Sequence, residues 1–187
     1  MDEALVVGSG CGVWEEYSLG AAAVTAPAIV AVNLMTLMLP LVHHAVSHHA
    51  AAIIHLVHTR RAMASFMAGP VVQTHSSEFH AELDHVWRDL RDLGADSGLL
   101  AVQVALRLGA QRVVVVGIPL DQQGHFYDDP TTRTGGDDHT NYRHLWRKVV
   151  PELAGRVFGV RGFLRDLLGP PPPLRRPASV GRALGTP

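Results

Sequence analysis

A glycine turn, one amide and a scatter of histidines are the residues of this chain whose types and spacing could do chemistry. The turn lies in "VVGSGCGVWEEY", residues 6–17, where an apolar strand runs into Gly8, Gly10 and Gly12 with Ser9 and Cys11 between them. Such a turn bends the backbone tightly and presents amide N–H groups beside the N-terminus of the next helix. Those amides and the helix dipole together favour an anion. The spacing is GxGxG, not the dinucleotide fingerprint GxGxxG. No acidic residue ends the second strand to hold a ribose, and the lysine of a P-loop is missing. The turn therefore reads as a site for a nucleotide or sugar phosphate other than NAD or ATP. The plainer reading is that its glycines only close a strand-to-helix connection.

Asn33 ends an otherwise apolar run. Its amide could meet a phosphate or sugar oxygen, or it could cap the following helix. His139 opens "HTNYRHLWRKVVPEL", and an imidazole is suited to general-base work near neutral pH. His125 lies in the same loop and competes for that role. His48 or His49, after the third strand, and His75, after the fourth, stand as substrate-facing candidates. The run "HHAVSHH" (43–49) invites a metal reading, but neighbouring histidines of a strand point to opposite faces and the segment contains no carboxylate. No metal site is assigned. Asp128–Asp129 and Asp137–Asp138 read as solvated turn residues, and Trp14, Trp87 and Trp146 as packing residues.

The elements that must position these groups alternate. Strands are expected at Ala4 to Val7, Ala28 to Val32, His43 to Ser47, Val71 to Thr74, Arg112 to Val116 and Arg156 to Val160, the first two as continuous apolar runs of the doubly buried kind and Arg112 to Val116 as the clearest of all. Helices are expected from near Val13, over Leu34 to Leu39, from about Ala50 to Met63, over Ser97 to Leu108 with Gly109 as its cap, over His139 to Leu153 and over Phe163 to Leu168. Residues 78–93 read as an amphipathic helix or a loose insertion. The pattern is that of a three-layer, Rossmann-like α/β domain with a mostly parallel sheet, over residues 1–169. Ligands of such sheets bind at the carboxyl ends of the strands, where the strand order switches. Residues 170–187, with "PPPPLRRP", read as an extended, disordered tail.

Composition narrows the class. The chain has 187 residues, is 47% hydrophobic and carries a net charge of −1, so no strong field recruits nucleic acid or an anionic membrane surface. Its single cysteine excludes an internal disulfide and any cysteine-based zinc cluster and points to the cytoplasm. Val24 to Val42 is apolar, but Pro27, Asn33 and Pro40 divide it into a strand and a short helix rather than a membrane span. Fifteen arginines against one lysine suggest a GC-rich bacterial or phage genome. A homo-oligomer is left open.

Three features of the second half fall in a telling order: "SGLLAVQVALRLGAQRVVVVGIPLD", then His139 opening "HTNYRHLWRKVVPEL", then "GRVFGV" and "RGFLRDLLG". This order resembles the bacterial sialyltransferases that use CMP-sialic acid, and the wider group of related glycosyltransferase-like domains, over roughly residues 4–169. The resemblance implies that Gly8, Ser9, Gly10, Gly12 and Asn33 lie along a donor nucleotide and that Ser97 and Gly98 sit near its base or phosphate. It further implies that His139 is the general base. Tyr127 and Tyr142 fall in the region of the family's phosphate-holding tyrosines, and Tyr142 is taken as a donor contact; His48, His75 and His125 are taken as substrate contacts. Ser9, Cys11 and Gly12 depart from the family's GNGPS turn. No cofactor is required, because CMP carries one phosphate, and the partners implied are a nucleotide sugar and a glycan or other hydroxyl acceptor. The alternative is a nucleotide-binding module that has lost catalysis and serves regulation or assembly. A pyrophosphokinase-like transfer would need more carboxylates near the glycine turn than the sequence supplies.

Overall fold

The computed structural model describes residues 1–63, 71, 73–93, 96–128 and 139–173. Among the described residues, seven strands form one sheet: β1 (Glu3–Val7), β2 (Ala28–Val32), β3 (His44–Val46), β4 (Gln73–Ser76), β5 (His85–Val86), β6 (Arg112–Val116) and β7 (Val157–Gly159). Their order is β5-β4-β3-β2-β1-β6-β7 and every pairing is parallel. The helices are α1 (Val13–Ala22), α2 (Met35–Met38), α3 (Ala50–Ala62), α4 (Ser97–Arg107), α5 (Arg143–Leu153) and α6 (Gly162–Leu168).

Alternate strand residues feed two cores. Ala4, Val6, Val113 and Val115 pack beneath α4, α5 and α6, while Leu5, Val7, Val114 and Val116 pack beneath α1, α2 and α3. That is why "RVVVV" is apolar throughout: both faces are covered, and each fully buried valine contributes roughly 1.5–3 kcal/mol. The result is a three-layer, Rossmann-like α/β fold.

The chain steps outward from β1 to β5 on one side, then α4 carries it back across the sheet to β6 on the other. The order therefore switches between β1 and β6, whose register runs from Glu3 opposite Arg112 to Val7 opposite Val116. The crevice beyond Val7 and Val116 is where such sheets bind ligands.

Several expectations need correction. The segment 78–93 is not one amphipathic helix; it supplies β5 and a 3-10 helix over Arg88–Leu93, because His85 and Val86 pair with His75 and Ser76. The fourth strand lies two residues later than Val71 to Thr74, where Gln73 stands opposite His44. Trp14 does not enter the core: it is 44% exposed, and its ring packs edge to face on Phe126 at 5.7 Å. Asn33 does not cap α2 with its side chain. It takes a left-handed backbone, φ 49°, and its carbonyl accepts from Thr36 N–H. At the start of the expected tail, the Pro172 carbonyl accepts a bond from Arg112. The remainder of that tail, and Asp129, Asp137 and Asp138, lie outside the described residues. No helix among the described residues is long and apolar enough to cross a membrane.

Candidate functional site

The glycines after β1 serve first to let two turns touch. A side chain on Gly8 would begin 2.5 Å from the Gly117 carbonyl oxygen, and one on Gly117 would begin 2.3 Å from that of Gly8. Gly117 also has φ 66°, which L side chains rarely adopt. Gly10 lies against Pro119, 2.3 Å from where its Cβ would stand. The turn after β1 and the turn after β6 thus pack backbone to backbone. Glu16 of α1 locks them from below, its buried carboxylate accepting from Gly117 N–H at 2.7 Å. Burial pushes the Glu16 carboxyl upward, opposed by that hydrogen bond.

The same packing spends the turn's donors. Gly8, Gly10 and Cys11 give their N–H groups to the carbonyls of Val116, Gly117 and Gly124. The α4 N-terminus is occupied as well: Asp96 accepts from Gly98 and Leu99 N–H. The backbone amides that the sequence offered to an anion are therefore mostly bonded within the fold.

Above these turns lies a pocket of about 250 Å³. It gathers Gly8, Ser9, Gly10 and Asn33 from the first half of the chain with Ser97, Gly98, His125, His139 and Tyr142 from the second. Residues more than a hundred positions apart meet there. Ser9 Oγ hydrogen-bonds His125 Nδ1 at 2.8 Å. The His125 and His139 rings stand 5.2 Å apart, edge to face, and Tyr142 stacks beside His139 at 6.1 Å. The segment bearing His125 is tied across the glycine turn by a Gly10–His125 bridge and by Phe126 N–H to the Ser9 carbonyl. Nε2 of His139 is shielded from water and has no hydrogen-bond partner among the described residues.

Three expected site residues stand elsewhere. Gly12 is the exposed N-cap of α1, in a left-handed conformation. His48 lies beside the pocket with Nδ1 on Ser77 Oγ, while its neighbour His49 is the one in the pocket wall. His75 is fully buried beneath the sheet edge, between His44, His85 and Trp87. A strand-end position predicts the sheet edge, but not which side of it a ring takes. Among the described residues, no group of three or more histidine, cysteine, aspartate or glutamate side chains could hold a metal ion.

Two contributors escaped the sequence reading. Asp96 is buried in the pocket wall and bonds Trp146 Nε1–H with its second oxygen. Its position just before an apolar helix is a capping signal that could have flagged it. Trp146 was expected to pack, and it does, at 0% exposure; its polar bond to Asp96 had no signal in the sequence.

The fold and pocket define a Rossmann-like α/β domain with a candidate small-molecule site at its topological switch point. Compared with protein-family models, curated proteins and solved structures, the chain matches none of them.

Proposed function

We propose that this protein is a glycosyltransferase acting on a nucleotide sugar of the CMP type, with His139 as general base. The observation that carries the reading is His139 Nε2, buried and unpaired in a ring of the pocket wall. An unsatisfied buried polar atom costs about 1–3 kcal/mol, which an incoming hydroxyl would recover. In the reaction, Nε2 takes the acceptor hydroxyl proton and the oxygen bonds the anomeric carbon. The bond from that carbon to the phosphate oxygen breaks, and CMP leaves.

Charge growing on the phosphate is met by side chains, namely Asn33, His125 and the Tyr142 hydroxyl, since the turn amides are engaged elsewhere. A single phosphate can be met by these groups without a metal ion. The acceptor is a glycan or another hydroxyl compound, and the setting is the cytoplasm, where the free thiol of Cys11 stays reduced.

The engaged amides favour a second reading, in which the chain keeps nucleotide binding for regulation or assembly and has lost transfer. A thermal-shift titration with CMP, CDP, UMP, UDP, GDP, ATP and NAD separates the readings from a purely structural turn. Ligand at a hundred times its dissociation constant adds about 2.7 kcal/mol of stability. A selective rise with CMP, followed by CMP release from a CMP-sugar, supports the transferase. A rise without release supports the module, and no rise with any nucleotide sinks both.

A further inference from the structure

We infer that Asp96 is the positioning residue of this site, one buried carboxylate that fastens the His139-bearing helix to the start of α4. The inference rests on the reading of His139 as the base, although the fastening itself can be tested without catalysis.

Asp96 Oδ1 accepts from Gly98 N–H at 2.8 Å and Leu99 N–H at 3.2 Å, which fixes the first turn of α4. Oδ2 accepts from Trp146 Nε1–H at 2.5 Å. Trp146 lies one turn into α5, and the 3-10 turn His139–Tyr142 runs directly into that helix. A single side chain therefore ties the α4 N-terminus to the helix that continues from the His139 turn. Both Asp96 and His139 line the pocket, so a shift of either helix alters its shape.

The bonding pattern suits an acceptor on both oxygens. Burial raises the Asp96 carboxyl above the usual carboxylate range, and Trp146, Leu99, Gly98 and the nearby His139 offset part of that rise. All three of its hydrogen-bond partners are N–H donors, which an acceptor-only carboxylate suits, and the positive end of the α4 dipole adds to them. A carboxylate needed only as a helix cap would leave its second oxygen to water, because serine or asparagine caps as well. Here the second oxygen is committed, fully out of solvent, to the other helix of the site.

The test uses the full chain with Asp96→Ser, Trp146→Phe and the double variant. Serine keeps a capping oxygen for α4 but is too short for Trp146, and phenylalanine keeps the ring bulk but donates nothing. Two quantities are read: CMP affinity by calorimetry, and the His139 ring C–H resonance in ¹³C-labelled protein, assigned through His139→Gln. Each single variant is expected to weaken CMP about tenfold and to displace the His139 resonance, with the double variant no worse than either, since both break one contact. Wild-type affinity together with an unmoved His139 resonance in Trp146→Phe overturns the inference, as do single effects that simply add. If Asp96→Ser fails to fold, Trp146→Phe decides alone, because it leaves both backbone bonds of Asp96 in place. If the wild type does not bind CMP, the nucleotide reading fails, and the His139 resonance still decides for or against Asp96.

Discussion

Trp87 donates its indole N–H to Nδ1 of His75 at 3.1 Å, and that bond fixes the proton on a buried ring. With Nδ1 accepting, neutral His75 carries its proton on Nε2 and donates it to Nδ1 of His44, also 3.1 Å away. His85 stacks on His75, and Asp84 holds Thr74 on the same strand. Protonating His75 would set one N–H against another. Burial first, and then its histidine neighbours, hold His75 down at about 3 and His44 at about 4.

An acid-sensitive stability follows from that relay. Both rings are neutral when folded but protonate near pH 6.5 when unfolded, so the unfolded chain binds more protons below that value. Their contribution is complete above pH 6.5 and is lost as the pH falls toward 4, at up to about 1.4 kcal/mol per histidine per pH unit. Urea unfolding at pH 7 and pH 5 should show a clearly lower midpoint at pH 5. Equal midpoints would mean that the rings are not buried neutral.

Replacing His139 by alanine should separate activity from stability. Its Nε2 gives up no hydrogen bond among the described residues, so the loss of its ring contacts with His125 and Tyr142 should lower the thermal midpoint only modestly. If His139 is the base, release of CMP from a CMP-sugar should drop by about 10²–10⁴-fold with nucleotide affinity nearly unchanged. Full turnover by the variant would transfer the role to His125.

The contact between the two turns should be sensitive to very small changes. Glu16→Ala strands the buried Gly117 N–H and should cost about 1–3 kcal/mol, whereas Glu16→Gln, which keeps an acceptor, should recover most of it. Gly10→Ala drives a methyl into Pro119 and should cost about 1–3 kcal/mol by overpacking. A bulkier residue at Gly10 therefore reports on folding rather than on ligand approach. Denaturant midpoints measure all three.

Arg60 should matter more than any surface charge. Its buried guanidinium donates to the carbonyls of Thr36, Leu39 and Pro40, fastening α2 and the turn that ends it to α3. Arg60→Ala should cost about 3 kcal/mol or more. Lysine should not rescue it, because a single ammonium cannot reproduce the planar fork across three acceptors. A loss below about 1 kcal/mol in urea would contradict that anchoring role.

The sequence by itself determined the layering. "ALVV", "AIVAV" and "RVVVV" are continuous apolar runs, and only a strand covered on both faces keeps such a run out of water. With glycine turns and helical patterns between them, they also narrowed the candidate site to the carboxyl ends of the strands, while the switch between β1 and β6 came only from the strand order of the folded sheet. Local patterns could not find β5, because His85–Val86 has no apolar run and is a strand only through its pairing with β4. Nor could they say where hydrogen-bond donors end. The N–H groups of Gly8 and Gly10 look available in the sequence, yet they are consumed by Val116 and Gly117, more than a hundred residues away. Trp146 was legible as a packing ring, whereas Asp96 carried a capping signal that went unread, and only the meeting of α4 with α5 made them one contact. Hydrophobic periodicity is a property of neighbours along the chain, whereas satisfying a buried polar group depends on whatever the fold brings beside it.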